Sequence, residues 1–190
     1  MANEENQPEV DADGLPILTH ASNVLFIVPE QNFGDQILRY ARSSLFNEAI
    51  GSRAVTLGGD GPAVGRLQDE VVVDGDINGE AMDSYQGIVI CGCDGENPLA
   101  RDERVARLLR DAHADGKVVA SWGNALCALA HAGVVKGSRV TGAEACQADT
   151  RSAGGKFTTR QIETAGRLVT AQDESAGMRF GQALVQAMRS

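Results

Sequence analysis

Gly116-Lys117-Val118-Val119-Ala120-Ser121-Trp122-Gly123-Asn124-Ala125 is the stretch that decides the fold. Residues 117–120 form a short apolar run of the kind found in a strand buried on both faces. Helical spacing begins at Asn124 and continues to His131, with Gly133 just beyond it. The turn across 120–125 is therefore tight. Immediately upstream, 101–115 (RDERVARLLRDAHAD) sets Val105, Leu108, Leu109 and Ala112 on one helical face, and Gly116 stops it. Helix, buried strand and helix in this order are the units of a parallel sheet.

The same alternation extends outward. Residues 23–28 (NVLFIV) read as a buried strand closed by Pro29. Residues 33–48 repeat apolar side chains at Ile37, Leu38, Ala41, Leu45 and Phe46, a helix with Asp35 in its first turn. Further strands are expected at 52–57, 70–73, 87–90 (GIVI) and 138–141. A hairpin is expected from 161–164 and 168–170 around Ala165-Gly166, followed by a terminal helix at 174–188. Residues 22–190 read as one α/β domain without repeat or linker. Residues 1–21 read as an acidic, flexible N-terminal tail. In open parallel sheets ligands bind beyond the carboxyl ends of the strands. That rule selects three segments: 29–35, 91–95 and 121–125.

Bulk properties narrow the partners. The 190 residues are 43% hydrophobic and 23% charged, with a formal net charge of −9. An acidic surface repels phosphate backbones, so no nucleic-acid partner is expected. No apolar run reaches membrane length, and the N-terminus lacks a secretory signal, so a cytoplasmic protein without a membrane partner is expected. In that compartment Cys91, Cys93, Cys127 and Cys146 would remain thiols. Their spacing does not match structural zinc modules, and no metal or cofactor is expected.

Three local patterns resemble functional motifs. Residues 59–65 (GDGPAVG) approach a dinucleotide fingerprint but miss its spacing, carry Pro62 and open no clear helix. Residues 74–79 (DGDING) match the first half of a calcium loop, but its twelfth position is Tyr85. Cys91-Gly92-Cys93 at a strand end could share a soft metal or a redox step, yet no third ligand is evident. Cys127 reads as a core residue between Leu126 and Leu129, or as a thiol activated by its helix terminus. Trp122 reads as a packing residue or a pocket wall.

The run 116–125, followed by 129–141 (LAHAGVVKGSRVT), resembles the ThiJ/PfpI family. The family's pattern there is Gly-Lys-Pro-Val-Ala, a strained Cys-His-Gly turn, then Leu-Ala-x-Ala-Gly-Leu-Leu-x-Gly-x-x-Val-Thr. The first strand with Phe33 and Asp35, the segment 85–92 and the final strand and helix resemble it too. The resemblance implies a three-layer, flavodoxin-like sandwich of the class I glutamine amidotransferase type. It also implies a homodimer or larger homo-oligomer.

The departures from the pattern fall on the chemistry. Gly123 stands where the family has its cysteine nucleophile, Asn124 where it has histidine, and Ala125 where it has the elbow glycine. The family's supporting acid falls at Gly34, and Cys93 replaces the second glycine of a Gly-Gly turn. Glycine cannot attack a substrate, and asparagine cannot shuttle protons near neutral pH. Ser121 has no matched base. The resemblance thus implies a degenerate, non-catalytic site binding a small ligand or anion, with a role in binding, stress response or assembly. Its expected ligand-binding residues are Asp35, Gly92, Cys93, Asp94, Ser121, Trp122, Gly123 and Asn124. The alternative is a hydrolase, glyoxalase or deglycase using a migrated thiol, Cys93 or Cys127, with Glu30 or Asp35 as its acid.

Overall fold

A computed structural model describes residues 23–58 and 61–190. The proposed tail, His20 and residues 59–60 of the glycine-rich stretch lie outside the described residues.

Strand β1 (Val24–Ile27) is buried at every position, as its apolar run requires. It pairs in parallel with β3 (Ser52–Thr56) on one side and β7 (Gly87–Ile90) on the other. β8 (Val118–Trp122) lies beside β7, and β12 (Leu168–Ala171) beside β8, both in parallel. β11 (Ile162–Ala165) closes one edge antiparallel to β12, through the hairpin expected around Gly166. The two-residue β6 (Gly75–Asp76) completes a seven-stranded sheet beyond β3.

Side chains alternate across this sheet and feed two cores. Val24, Phe26, Val89, Ala120, Trp122 and Val169 face α1 (Asp35–Phe46) and α5 (Gly177–Arg189). Leu25, Ile27, Ile88, Ile90 and Val119 face α2 (Glu103–Ala114) and α3 (Leu126–His131). Both sheet faces are thus covered, which makes the three-layer sandwich. Each fully buried Leu, Ile or Phe contributes about 1.5–3 kcal/mol, so these layers dominate the stability.

Three expectations change. Residues 70–73 contribute only β5 (Glu70–Val71), which joins β2 (Gln31–Phe33) and β4 (Ala63–Gly65) in a separate small sheet. Residues 138–141 form β9 (Arg139–Thr141), which pairs with β10 (Lys156–Thr158) outside the main sheet. The helix expected from Asn124 begins with a 3₁₀ turn, Gly123–Ala125, and becomes α-helical only at Leu126. α4 (Gln147–Ser152) was not expected. Among the described residues, no helix is long and apolar enough to cross a membrane.

Candidate functional site

Every residue of β8 is buried, and the chain reverses immediately after it. Gly123 makes the turn with φ +59°, the left-handed region that disfavours any residue with a Cβ. A Cβ built there would meet nothing within 4 Å. The elbow therefore keeps its backbone shape and leaves open space where a side chain would project. Its carbonyl is fixed from the far wall, where Ala143 donates its N–H to Gly123 O at 3.0 Å.

The loop after β7 forms the opposite rim. A Cβ on Gly92 would stand 2.4 Å from Trp122 O, so only glycine fits where this loop crosses the end of β8. Asn124 holds the loop with its whole hydrogen-bonding capacity. Its Oδ1 accepts from Cys93 N at 3.1 Å and from Asn97 Nδ2 at 3.0 Å. Its Nδ2 donates to Cys93 O and Gly95 O, both at 2.9 Å. Asn97 adds a bond to Cys91 O at 3.1 Å. Asn124 is a staple between two strand ends.

Between these rims lies a cleft of about 400 Å³. Its lining brings together Gly92, Cys93, Asp94, Trp122, Gly123 and Asn124 with Gly34. The far wall comes from Gly142, Ala143 and Glu144, and the floor is closed by Gln172, Asp173, Glu174 and Arg66. Four carboxylates thus face one guanidinium. Arg66 is ion-paired with Glu174 and reaches Asp94 at 3.8 Å. Asp173 accepts from Ser175 N at 2.8 Å, capping the turn before α5.

Glu174 occupies the position left by Gly34. A Cβ on Gly34 would lie 2.9 Å from Glu174 Oε2 and 3.2 Å from Trp122 Nε1. A carboxylate therefore does stand beside the elbow, delivered from the end of β12 and not from the end of β1. Trp122 is 2% exposed, stacks edge-on against Phe180 at 5.6 Å between ring centroids, and leaves its Nε1 without a hydrogen-bond partner. Neither His113 nor His131 lines the cleft; His131 instead contacts Glu103 at 2.8 Å.

Two of the expected ligand residues lie elsewhere. Asp35 is buried, and its carboxylate accepts from Leu67 N at 2.7 Å and Asp69 N at 3.1 Å. It fixes the turn after β4 and does not line the cleft. Ser121 is fully buried within β8, so its hydroxyl has no route to the cleft. Glu30, offered as a replacement acid, lines a different cavity behind the Cys93 loop.

The cysteines divide into two classes. Cys127 and Cys146 form a disulfide with Cα atoms 5.0 Å apart. This corrects the expectation of four thiols and removes Cys127 as a migrated nucleophile, because a sulfur in a disulfide has no thiolate to offer. The pairing joins α3 to a turn 19 residues on, a contact that the spacing did not reveal. Cys91 is buried, and burial pushes its thiol well above the ordinary range. Cys93 lines the cleft, but burial raises its thiol too; the Asn124 hydrogen bond opposes this, and the Asp94 charge adds to it. Among the described residues, no three histidine, cysteine or acidic side chains gather as a metal site would require.

Arg66, Gly142, Ala143, Glu144 and the 172–174 segment were absent from the sequence-derived site. They arrive from the turns that follow β4, β9 and β12. Only the three-dimensional sheet order places them together. The rule that ligands sit beyond strand ends applied equally to β12, and following it to Ala171 would have found Glu174.

Comparison with known proteins gives a consistent result. A sequence profile of the DJ-1/PfpI family matches residues 22–187. An uncharacterized protein of Methanocaldococcus jannaschii is 26% identical over 171 residues, covering 88% of this chain and 82% of its own. The fold is similar to the crystal structure of a ThiJ/PfpI domain protein from Brachyspira murdochii, with TM-score 0.83 and 21% identity, covering 89% of this chain and 97% of that one. It is also similar to Drosophila melanogaster DJ-1beta, with TM-score 0.75 and 17% identity, covering 89% and 96%.

Proposed function

This chain belongs to the DJ-1/PfpI family, and on that premise we propose that its elbow cleft binds a small ligand without thiol chemistry. The observation that carries this reading is Gly123. It adopts the elbow conformation, and the space beyond it is open. A ligand can enter the volume that a nucleophile would fill. The neighbouring residue, Asn124, has both ends of its amide engaged by the Cys93 loop. It is therefore not free to act on a substrate.

The charge of the cleft selects among ligands. Asp94, Glu144, Asp173 and Glu174 outnumber Arg66, and Arg66 is already paired. Net negative lining disfavours phosphate and carboxylate ligands and favours an amine-bearing one. Of the small ligand or anion expected from the sequence, this reading keeps the small ligand. The six-residue α3 and its preceding 3₁₀ turn offer little dipole to offset four carboxylates.

A thiol enzyme remains the second reading because Cys93 lines the cleft. Its raised pKa keeps it protonated near neutral pH, which weakens it as a nucleophile. Thermal-shift titration with putrescine and with inorganic phosphate tests the preferred reading. Putrescine is expected to raise Tm in a dose-dependent way, and Glu174→Gln to weaken that rise. Stabilisation by phosphate alone would overturn the charge argument.

A further inference from the structure

We propose that the Cys127–Cys146 disulfide is a redox latch that holds one wall of the cleft against the elbow, and that a dithiol reductant releases it. Cys146 ends the 3₁₀ turn Glu144–Cys146, and the residues leading into that turn, Gly142 to Glu144, are the wall itself. Cys127 sits one residue into α3, the helix that grows out of the elbow. The bridge thus ties the wall to the element that Gly123 begins.

The wall has few other ties. Upstream, Thr141 is anchored through its N–H to Thr170 Oγ1 at 2.9 Å. Downstream, α4 begins at Gln147. Between them, Ala143 N donates to Gly123 O at 3.0 Å, and Cys146 N closes the turn on Ala143 O at 2.9 Å. The turn has no side-chain cap. Gly142 is pressed close, since a Cβ there would lie 2.8 Å from Gly123 O and 2.7 Å from Leu126 Cβ. Contact this close depends on the wall staying seated, and the covalent bridge reinforces the Ala143–Gly123 hydrogen bond and the burial of Cys146 in keeping it so.

The two sulfurs differ in access. Cys146 is fully buried, whereas Cys127 is half-buried. A reductant thiolate therefore attacks Cys127 Sγ. The protein S–S bond breaks, a mixed disulfide forms on Cys127, and Cys146 leaves as a thiolate that takes a proton. The reductant's second thiolate then attacks its own sulfur in the mixed disulfide, closing the reductant's disulfide and releasing Cys127, which is protonated in turn. Two electrons pass from the dithiol, which is oxidised, to the protein pair, which is reduced.

Amide hydrogen exchange on the full chain, without ligand, tests the latch apart from the ligand-binding reading. Dithiothreitol is expected to accelerate exchange at 142–147 and at the elbow by at least about tenfold, with β1 unchanged. Cys127→Ser is expected to show the fast pattern without dithiothreitol and to ignore its addition. The proposal is overturned if reduction leaves 142–147 unchanged. It is equally overturned if β1 accelerates in parallel, which would make the bridge a global staple, or if the unreduced, denatured protein carries four free thiols.

Discussion

Gly123→Cys places a side chain in the open space at the elbow, and its consequences follow from the local geometry. A Cβ there meets nothing within 4 Å, so the substitution carries no steric penalty. The cost is conformational. A residue with a Cβ held at φ +59° loses about 1–2 kcal/mol relative to glycine. For a chain of this size that is a fall in Tm of about 2–8 °C. Gly92→Ala is the contrast on the opposite rim, because its Cβ would stand 2.4 Å from a backbone oxygen that cannot rotate away. Overpacking typically costs about 1–3 kcal/mol and occasionally more, and a contact against rigid backbone falls at the top of that range. The new thiol of Gly123→Cys opens directly onto the cleft, whereas Cys93 is half-buried. Iodoacetamide labelling followed by mass spectrometry is expected to modify position 123 faster than Cys93. A variant as unstable as Gly92→Ala, or a thiol at 123 that labels no faster than Cys93, would refute the claim that the elbow is intact and merely lacks its side chain.

Asn124→Ala removes four hydrogen bonds between the elbow and the Cys93 loop, some of which water can replace at this partly exposed site. Urea denaturation is expected to show a loss of about 2–3 kcal/mol. Asp102 caps α2 and is paired with Arg104, which holds its carboxyl below the ordinary value; backbone bonds from Arg104 and Val105 add to this. A depressed folded value means that the contribution is complete above the unfolded value of about 3.9 and fades as pH falls through the folded one. Asp102→Ala is therefore expected to cost about 1 kcal/mol near neutral pH, with the gap to the wild type closing in acid. Alkylation of Cys93 is expected to be slow at neutral pH and to climb only above the ordinary cysteine range, as pH–rate profiles would show.

The layers of the fold were legible because strands such as NVLFIV and GIVI are continuous apolar runs, and α2 displays a clean amphipathic face. The side sheets were not, because β4, β5 and β10 are two or three residues long and carry no periodicity. At the site, Gly123, Asn124 and Gly92 could be placed because they lie in or beside strand ends. The role of Asn124 could not, since its partners, three backbone atoms and the Asn97 amide, lie about 30 residues away in the chain. Glu174 lies beyond a strand end too, but its place opposite Gly34 was not legible. It fills the gap left by Gly34, 140 positions earlier, and only the packing of α1 beside α5 brings the two together. The disulfide is the plainest omission, because two cysteines on separate elements declare nothing about distance until the turn after β9 is folded back onto α3.

The proposed function requires an elbow that keeps its shape while lacking a nucleophile. Turnover of methylglyoxal by the wild type and by Cys93→Ser, measured side by side, addresses it most directly. The expected result is no thiol-dependent turnover in either protein. Wild-type turnover that Cys93→Ser abolishes would contradict it, and would assign the chemistry to the one free thiol that lines the cleft.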